Sequence, residues 1–276
     1  MEIYRGMDRA ALDVAYSNRS VVANWQRYLD EWTVRGETVY ERATARDLKY
    51  GAGERQRMDL FLLEDATAPT CLFLHGGYWQ WNDKEGQAIA AGGLLGQGFN
   101  AVIGEYSLAP GATMTQICGE AIAQVQWLSA ELARRGRDGS KIYLTGISTG
   151  AHLMALAMGL SVVRGALLIS GIYDLEPIRV SSLNDAIKMD QVEARTFSPL
   201  HNVPQHLPPI MLTHGALEIP EIRRQTMDFH AALTALGHEV SYFPVPNTNH
   251  FSVLETLSDP DGFLAKRLGE LVKRTR

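Results

Sequence analysis

The chain has few cysteines, no long apolar segment and no excess of basic residues. Its two cysteines, Cys71 and Cys118, fall in an apolar strand pattern and a helical pattern, so we expect buried thiols, no disulfide, no metal and no other cofactor. No segment approaches the roughly 18 apolar residues of a membrane-spanning helix. Residues 1–5 lack the basic and apolar segments of a secretory leader. These absences predict a cytoplasmic protein that does not bind membranes.

The charge balance argues against nucleic-acid binding. Lys and Arg number 26 against 31 Asp and Glu, giving a net charge of -5, and basic residues are scattered except at 273–276. A basic stripe, which nucleic acids require, is therefore missing. The stretch Gly51-Ala52-Gly53 also lacks the third glycine of a dinucleotide loop. We expect a small-molecule substrate as the partner, and the sequence leaves a homodimer open.

Short apolar segments alternate with helical patterns, which predicts an α/β fold with a mostly parallel sheet flanked by helices. With 46% apolar residues in 276, the chain is expected to form a single domain over 1–276. Residues 1–38 are predicted as N-terminal helices and 175–208 as a short cap. Eight strands are predicted at Val39–Lys49, Met58–Leu63, Thr70–Leu74, Ala101–Glu105, Lys141–Thr145, Gly165–Ser170, Pro209–His214 and Glu239–Val245. Helices are predicted at Lys84–Leu95, Met114–Arg135, Thr149–Gly159, Glu221–Leu236 and Asp261–Lys273.

The pentapeptide Gly146-Ile147-Ser148-Thr149-Gly150 stands between an apolar strand pattern and a helical one. Strand, sharp turn and helix with a serine at the apex are typical of a nucleophile elbow, where flanking glycines leave room for strained backbone. The alternative is an ordinary glycine-rich turn. Ser148 is therefore the candidate nucleophile.

Upstream, the strand pattern Thr70–Leu74 is followed by His75-Gly76-Gly77-Tyr78-Trp79. A His-Gly-Gly loop after a buried strand supplies oxyanion-hole amides in lipases and esterases. We assign this role to the amides of Gly77, Tyr78 and Thr149. His75 is expected to brace the loop and to take no proton from substrate.

A serine hydrolase of this type needs an acid and then a histidine downstream of the serine. His250 lies in a loop after the last predicted strand and is the candidate base, whereas His152, one turn beyond the serine, is expected to be a packing residue. Glu218 follows a strand and Gly215, where the acid is usually found. Asp174, after the preceding strand, is the alternative acid.

Together with Ala15–Arg19, Ser170–Pro177 and Glu218–Gln225, these motifs resemble the arylformamidase (kynurenine formamidase) branch of the α/β-hydrolase superfamily, nearly end to end. The resemblance implies the eight-stranded α/β-hydrolase fold, with Ser148 as nucleophile, His250 as base and Glu218 as acid. It implies cofactor-independent cleavage of an N-formyl arylamine such as N-formylkynurenine, through an acyl-enzyme that releases formate.

The sequence departs from the family pattern at two positions. Glutamate stands at 218 where aspartate is commoner, and Thr149 follows the nucleophile where a smaller residue is usual. A further stretch, Tyr106-Ser107-Leu108-Ala109-Pro110, resembles the Tyr-Arg-Leu-Ala-Pro segment of hormone-sensitive-lipase-like esterases, with serine where arginine is usual. This stretch and the generic elbow leave a carboxylesterase of small acyl or aryl esters as an alternative, and a non-catalytic binding module is a second alternative.

Aromatic residues cluster near the predicted catalytic groups and could hold an aryl substrate by stacking. A purely structural role is an equal alternative for Trp79. The candidate substrate-binding residues are Tyr78, Trp79, Trp81, Tyr173 and Phe251.

Overall fold

The computed structural model describes residues 2–275. A single eight-stranded sheet forms its centre, with the strand order β1-β2-β4-β3-β5-β6-β7-β8. Strand β2 pairs antiparallel with β1 and β4, and all other neighbours are parallel, which confirms the predicted mostly parallel sheet. The strands are β1 Ala45–Lys49, β2 Arg57–Phe61, β3 Thr70–Leu74, β4 Asn100–Gly104, β5 Ile142–Ile147, β6 Val163–Ile169, β7 Ile210–Gly215 and β8 Val240–Val245.

Helices cover both faces of the sheet. They are α1 Arg9–Ala15, α2 Asn18–Val21, α3 Trp25–Tyr40, α4 Ala90–Gly96, α5 Met114–Arg134, α6 Thr149–Ala157, α7 Glu176–Arg179, α8 Asn184–Ile187, α9 Gln191–Thr196, α10 Pro220–Ala235, α11 Ser252–Ser258 and α12 Phe263–Thr275. Among the helices of residues 2–275, none is both long and apolar enough to cross a membrane.

Strand β3 shows why the central strands are apolar at every position. All its residues are buried, and successive side chains enter opposite faces of the sheet. Leu72 and Leu74 belong to the core on one face, and Cys71 and Phe73 to the core on the other. Because helices cover both faces, neither set of side chains meets water.

The predicted element bounds are wrong in two places. The strand predicted from Val39 begins at Ala45, because helical spacing continues through α3 as far as Tyr40. The helix predicted over Lys84–Leu95 is a 3₁₀ turn at Glu85–Gln87 followed by α4. Helix α11, which directly follows the His250 loop, was not predicted from the sequence.

The N-terminal segment is fastened to loops at the carboxyl ends of the strands. Tyr78 donates its hydroxyl proton to the carbonyl of Tyr16, with the oxygens 2.5 Å apart, and the Tyr16 hydroxyl donates to Glu221 over 3.1 Å. Asp13 accepts a hydrogen bond from the amide of Ser182 over 2.7 Å, in the segment predicted as a cap. The N-terminal helices and residues 175–208 therefore meet over the same end of the sheet.

Candidate active site

Ser148 lies at a sharp turn between β5 and α6. Its backbone has φ 57° and ψ -120°, a conformation that costs a non-glycine residue energy and is found chiefly at functional sites. A Cβ at Gly150 would lie 2.0 Å from the carbonyl oxygen of Leu74, so glycine is needed for α6 to pack against β3. The turn places Ser148 at the carboxyl edge of the sheet, in the position predicted for it.

Ser148 and His250 line the same cavity, whose volume is about 200 Å³. The cavity lies between the loop after β3, the N-terminal segment and the segment predicted as a cap. Its lining includes Asp13, Asn18, Arg19, Gly77, Tyr78, Trp81, Asn82, Gln87, Ser148, Ser182, His250 and Phe251.

The loop after β3 has left-handed backbone at three successive residues, Gly77, Tyr78 and Trp79, with φ of 134°, 49° and 57°. The Gly76 carbonyl accepts a hydrogen bond from Asn82 Nδ2 over 2.9 Å, and the Gly77 carbonyl accepts one from the Trp81 amide over 2.9 Å. The Gly77 N–H belongs to the same peptide as the Gly76 carbonyl, and the Tyr78 N–H to the same peptide as the Gly77 carbonyl. In a trans peptide the N–H and the C=O point in opposite directions. Both N–H groups therefore point away from Asn82 and Trp81.

The same loop lies directly against the elbow. A Cβ at Gly76 would lie 3.0 Å from Ser148 Cβ. Thr149 is the first residue of α6, so its amide has no carbonyl partner within the helix. The Gly77, Tyr78 and Thr149 amides thus come from the two backbone segments that meet at Ser148.

His75 braces the loop by engaging both nitrogens of its fully buried ring. The Nε2 atom is 2.8 Å from Glu105 Oε1 and Nδ1 is 2.8 Å from the Gly76 carbonyl. Burial alone would raise the pKa of the Glu105 carboxyl. The interactions with His75, Arg55 and the Tyr106 amide outweigh burial and hold this pKa below its usual range. Glu105 also accepts the Lys84 amide over 3.0 Å, so it ties together both ends of the loop.

His250 is paired with Glu218. His250 Nδ1 lies 2.8 Å from Glu218 Oε2, and the carboxylate also accepts hydrogen bonds from Ser170 and from the Gly215 amide. Burial alone would raise the pKa of Glu218, but the interaction with His250 and these hydrogen bonds lower it below its usual range. Glu218 is therefore an ionised carboxylate that fixes the ring of His250.

Asp174, the alternative acid, has other partners. Its carboxylate accepts hydrogen bonds from the Tyr4 hydroxyl over 2.8 Å and from the Glu176 amide over 3.0 Å. His201 Nε2 lies 3.8 Å from it. The structure thus brings Glu218 to His250 and gives Asp174 contacts with the N-terminal segment and its own loop.

Among the aromatic residues predicted to bind substrate, Tyr78, Trp81 and Phe251 line the cavity. The predictions for Trp79 and Tyr173 are wrong, because both side chains are fully buried in the core. The left-handed turn sends the Trp79 indole inward, where its N–H donates to His152 Nδ1 over 3.3 Å. Tyr173 stacks on Phe229 with ring centroids 4.3 Å apart.

His152 is a fully buried core residue, as predicted. Its Nδ1 accepts the Trp79 proton, so Nε2 carries the proton donated to the Phe197 carbonyl over 2.8 Å. Burial lowers the pKa of His152 to about 4. The ring is therefore neutral at physiological pH and does not face the cavity.

Sequence reasoning missed several polar residues around the site. Gln87 Oε1 accepts the Gly76 amide over 3.2 Å, and Asn82 and Glu105 hold the same loop. Asn18 and Arg19 also line the cavity. In the sequence, only their place in the family-like stretch Ala15–Arg19 indicates them.

The chain is similar to several known proteins in sequence and in fold. Residues 58–166 match the family described as BD-FAE. The kynurenine formamidase of Salmo salar is 32% identical over 84% of this chain and 83% of its own length. That of Danio rerio is 28% identical with full coverage of both chains. A Silicibacter crystal structure provisionally described as a thioesterase is 28% identical, covers 92% of this chain and 97% of its own, and superposes with a TM-score of 0.83.

The fold is that of the α/β-hydrolases, with the strand order and elbow described above. The Salmo salar relative exceeds 30% identity over more than four fifths of both chains, which is enough to show the family. The protein is therefore a hydrolase, and the chain belongs to the kynurenine formamidase family.

Proposed function

We propose that this hydrolase cleaves the formyl group from an N-formyl arylamine of the N-formylkynurenine type by a Ser148-His250-Glu218 mechanism. The observation that carries the proposal is the 2.8 Å contact between Glu218 and His250, with His250 and Ser148 lining one cavity. A histidine held by a carboxylate beside an elbow serine is the arrangement that activates a serine nucleophile.

In the first step, the Ser148 oxygen attacks the formyl carbon while His250 accepts the serine proton. The amides of Gly77, Tyr78 and Thr149 donate to the oxygen that becomes negative in the tetrahedral intermediate. Each oxyanion donor of this kind commonly lowers the activation free energy by about 3–4 kcal/mol. Glu218 stabilises the imidazolium that forms.

The intermediate then collapses, and the C–N bond breaks. His250 returns its proton to the departing arylamine, which leaves a formyl ester on Ser148. Water, deprotonated by His250, attacks that ester through a second tetrahedral intermediate. Formate and free Ser148 are the products, so one water is consumed for each formamide cleaved.

The choice of an N-formyl arylamine rests on two supports. Two relatives that match over most of both chains are named kynurenine formamidases. The cavity also presents the rings of Tyr78, Trp81 and Phe251, of which Tyr78 and Trp81 meet edge to face with centroids 6.2 Å apart. Such rings favour an aryl leaving group.

The experiment compares wild type with Ser148→Ala on N-formylkynurenine. The variant should lose at least about 10³-fold in kcat, since removal of a nucleophile commonly costs more than that. Circular dichroism should be unchanged. If the folded variant retained more than about one hundredth of the wild-type rate, the assignment of Ser148 would be wrong.

Ester hydrolysis is the second candidate, favoured by the esterase-like stretch Tyr106–Pro110 and by the thioesterase description of the Silicibacter protein. Esters have better leaving groups than amides, so weak esterase activity is expected in either case. The deciding quantity is kcat/KM for N-formylkynurenine against p-nitrophenyl acetate on one preparation. An ester preference of about a hundredfold or more would favour the esterase.

A further inference from the structure

The mouth of the cavity carries a cation without an acidic partner. Arg19 lines the cavity, and its guanidinium carbon lies over two indole rings, 4.2 Å from the centroid of Trp25 and 5.2 Å from that of Trp81. Within residues 2–275, Arg19 forms no ion pair with any carboxylate. Stacking on aromatic rings fixes the direction of a guanidinium without neutralising it.

Other arginines near the site differ from Arg19 in this respect. Arg35 pairs with Glu255, Arg55 with Glu105 and Arg224 with Glu221. Each of these arginines has its charge balanced by a carboxylate of the protein. Arg19 is held in place by indoles, so its hydrogen-bond donors are not used by a protein carboxylate.

The cavity residues Asp13 and Asn18 do not neutralise the Arg19 guanidinium. Asp13 also lines the cavity, but its Oδ1 accepts the amide of Ser182 over 2.7 Å, and within the described chain Asp13 forms no ion pair with Arg19. Asn18 is only 5% exposed and lines the cavity, and its Oδ1 has no hydrogen-bond partner among the described residues. Buried side-chain oxygens are normally hydrogen-bonded. The Asn18 oxygen, from the residue that precedes Arg19, is therefore an acceptor without a donor.

We propose that Arg19 binds a carboxylate of the substrate and so selects aryl formamides that carry a carboxylate over neutral ones. The inference rests on the proposed function, because it names the substrate class of that same cavity. A guanidinium can hold a carboxylate through two parallel hydrogen bonds. Arg19 is a specificity-determining residue outside the chemical step, so its effect is expected in KM rather than in kcat.

The test uses the full-length enzyme and two substrates of nearly equal shape, 2-formamidobenzoate and the neutral 2-formamidobenzamide. Wild type should prefer the carboxylate in kcat/KM by about tenfold or more. Arg19→Gln should raise KM for the carboxylate by about tenfold and leave kcat within about twofold. Its kinetics on the benzamide should be unchanged. Higher ionic strength should narrow the wild-type preference.

Arg27→Gln is the matched control. Arg27 is an exposed arginine of α3 that pairs with Glu31 over 2.6 Å and does not line the cavity. It should retain the wild-type preference. Arg19→Lys keeps the charge but loses the planar fork, so it should retain only part of the preference.

Two results would overturn the inference. Equal loss of kcat/KM on both substrates in Arg19→Gln would mean that the side chain only packs the cavity mouth. An unchanged preference would mean that no carboxylate is bound there. If wild type cleaves neither formamide but cleaves phenyl acetate, the proposed function fails. The role of Arg19 is then tested in the same variants with two esters, 4-acetoxybenzoate and the neutral phenyl acetate. The same two results would overturn the inference.

Discussion

Two histidine–glutamate pairs lie at the carboxyl edge of the sheet, each with a nitrogen–oxygen distance of 2.8 Å. His75 and Glu105 are both completely buried, whereas the His250 side chain is 11% exposed beside a buried Glu218. The second nitrogen of His75 contacts the Gly76 carbonyl. His250 faces the cavity that contains Ser148. A ring with both nitrogens bonded to the protein braces the backbone, and a ring with one nitrogen towards a cavity can exchange a proton.

Pairing with a carboxylate therefore does not by itself identify a catalytic histidine. In both pairs, the contact with the histidine and the other hydrogen bonds outweigh burial and lower the pKa of the glutamate. What differs is the access of the other ring nitrogen. The two pairs should therefore respond differently to loss of their carboxylates.

The largest expected effect is on kcat in Glu218→Gln. The amide can no longer stabilise the His250 imidazolium, so kcat should fall by about 10³–10⁴-fold with the fold retained. Asp174→Asn is the matched control and should remain within about fivefold of wild type. Steady-state kinetics with circular dichroism checks both variants. The reverse ranking in folded proteins would assign the acid to the loop after β6.

The complementary prediction concerns Glu105→Gln, whose main effect should be on stability. Glu105 accepts hydrogen bonds from Arg55, the Lys84 amide and the Tyr106 amide besides its contact with His75. Loss of a buried carboxylate from such a set should lower the free energy of unfolding by about 3 kcal/mol. The fall in kcat should be about tenfold, far less than in Glu218→Gln.

Urea unfolding measures the stability, with the exposed Glu64→Gln as a control expected within about 0.5 kcal/mol of wild type. A fully stable Glu105→Gln protein with a kcat as low as that of Glu218→Gln would contradict the division between the two pairs. In that event, Glu105 would take part directly in the reaction.

The smallest expected effect is on the pH dependence of stability and comes from His152. Unlike His75 and His250, this histidine has no carboxylate partner. Its folded pKa of about 4 lies below the ordinary value of 6.5, so the unfolded chain takes up the proton first as the pH falls. The stability due to neutral His152 is thus complete above pH 6.5 and is lost as the pH falls towards 4. Between pH 7.5 and 5.0 the loss should be about 2 kcal/mol.

His152→Gln removes this titration, so the variant should lose about 2 kcal/mol less than wild type over the same pH interval. Urea unfolding at the two pH values makes the comparison. The exposed His206→Gln should follow wild type. Equal pH dependence in His152→Gln and wild type would show that His152 is not held neutral in the core.

The sequence was most informative where a local pattern determines the structure. Apolar runs such as Thr70–Leu74 located the strands to within a few residues, since both faces of the sheet are covered. The order of elbow, acid and histidine placed Ser148, Glu218 and His250 at one edge. These features depend on short segments with specific turns and periods.

The remaining features depend on contacts between distant segments. Trp79 is adjacent in sequence to the oxyanion loop, yet its burial depends on His152, 73 positions away. The contact of His75 with Glu105 spans 30 positions. The stack of Arg19 on Trp25 and Trp81 forms only when α2 and α3 pack over the cavity. No local periodicity encodes these contacts, so the sequence alone could not predict them.

In the proposed mechanism, Glu218 acts through His250 to make Ser148 nucleophilic. Labelling by a fluorophosphonate probe measures this directly and needs no choice of substrate. Peptide mass spectrometry should locate the label on Ser148. The labelling rate should fall at least about a hundredfold in Glu218→Gln and remain near wild type in Asp174→Asn. Label on another residue, or equal rates in wild type and folded Glu218→Gln, would contradict the claim.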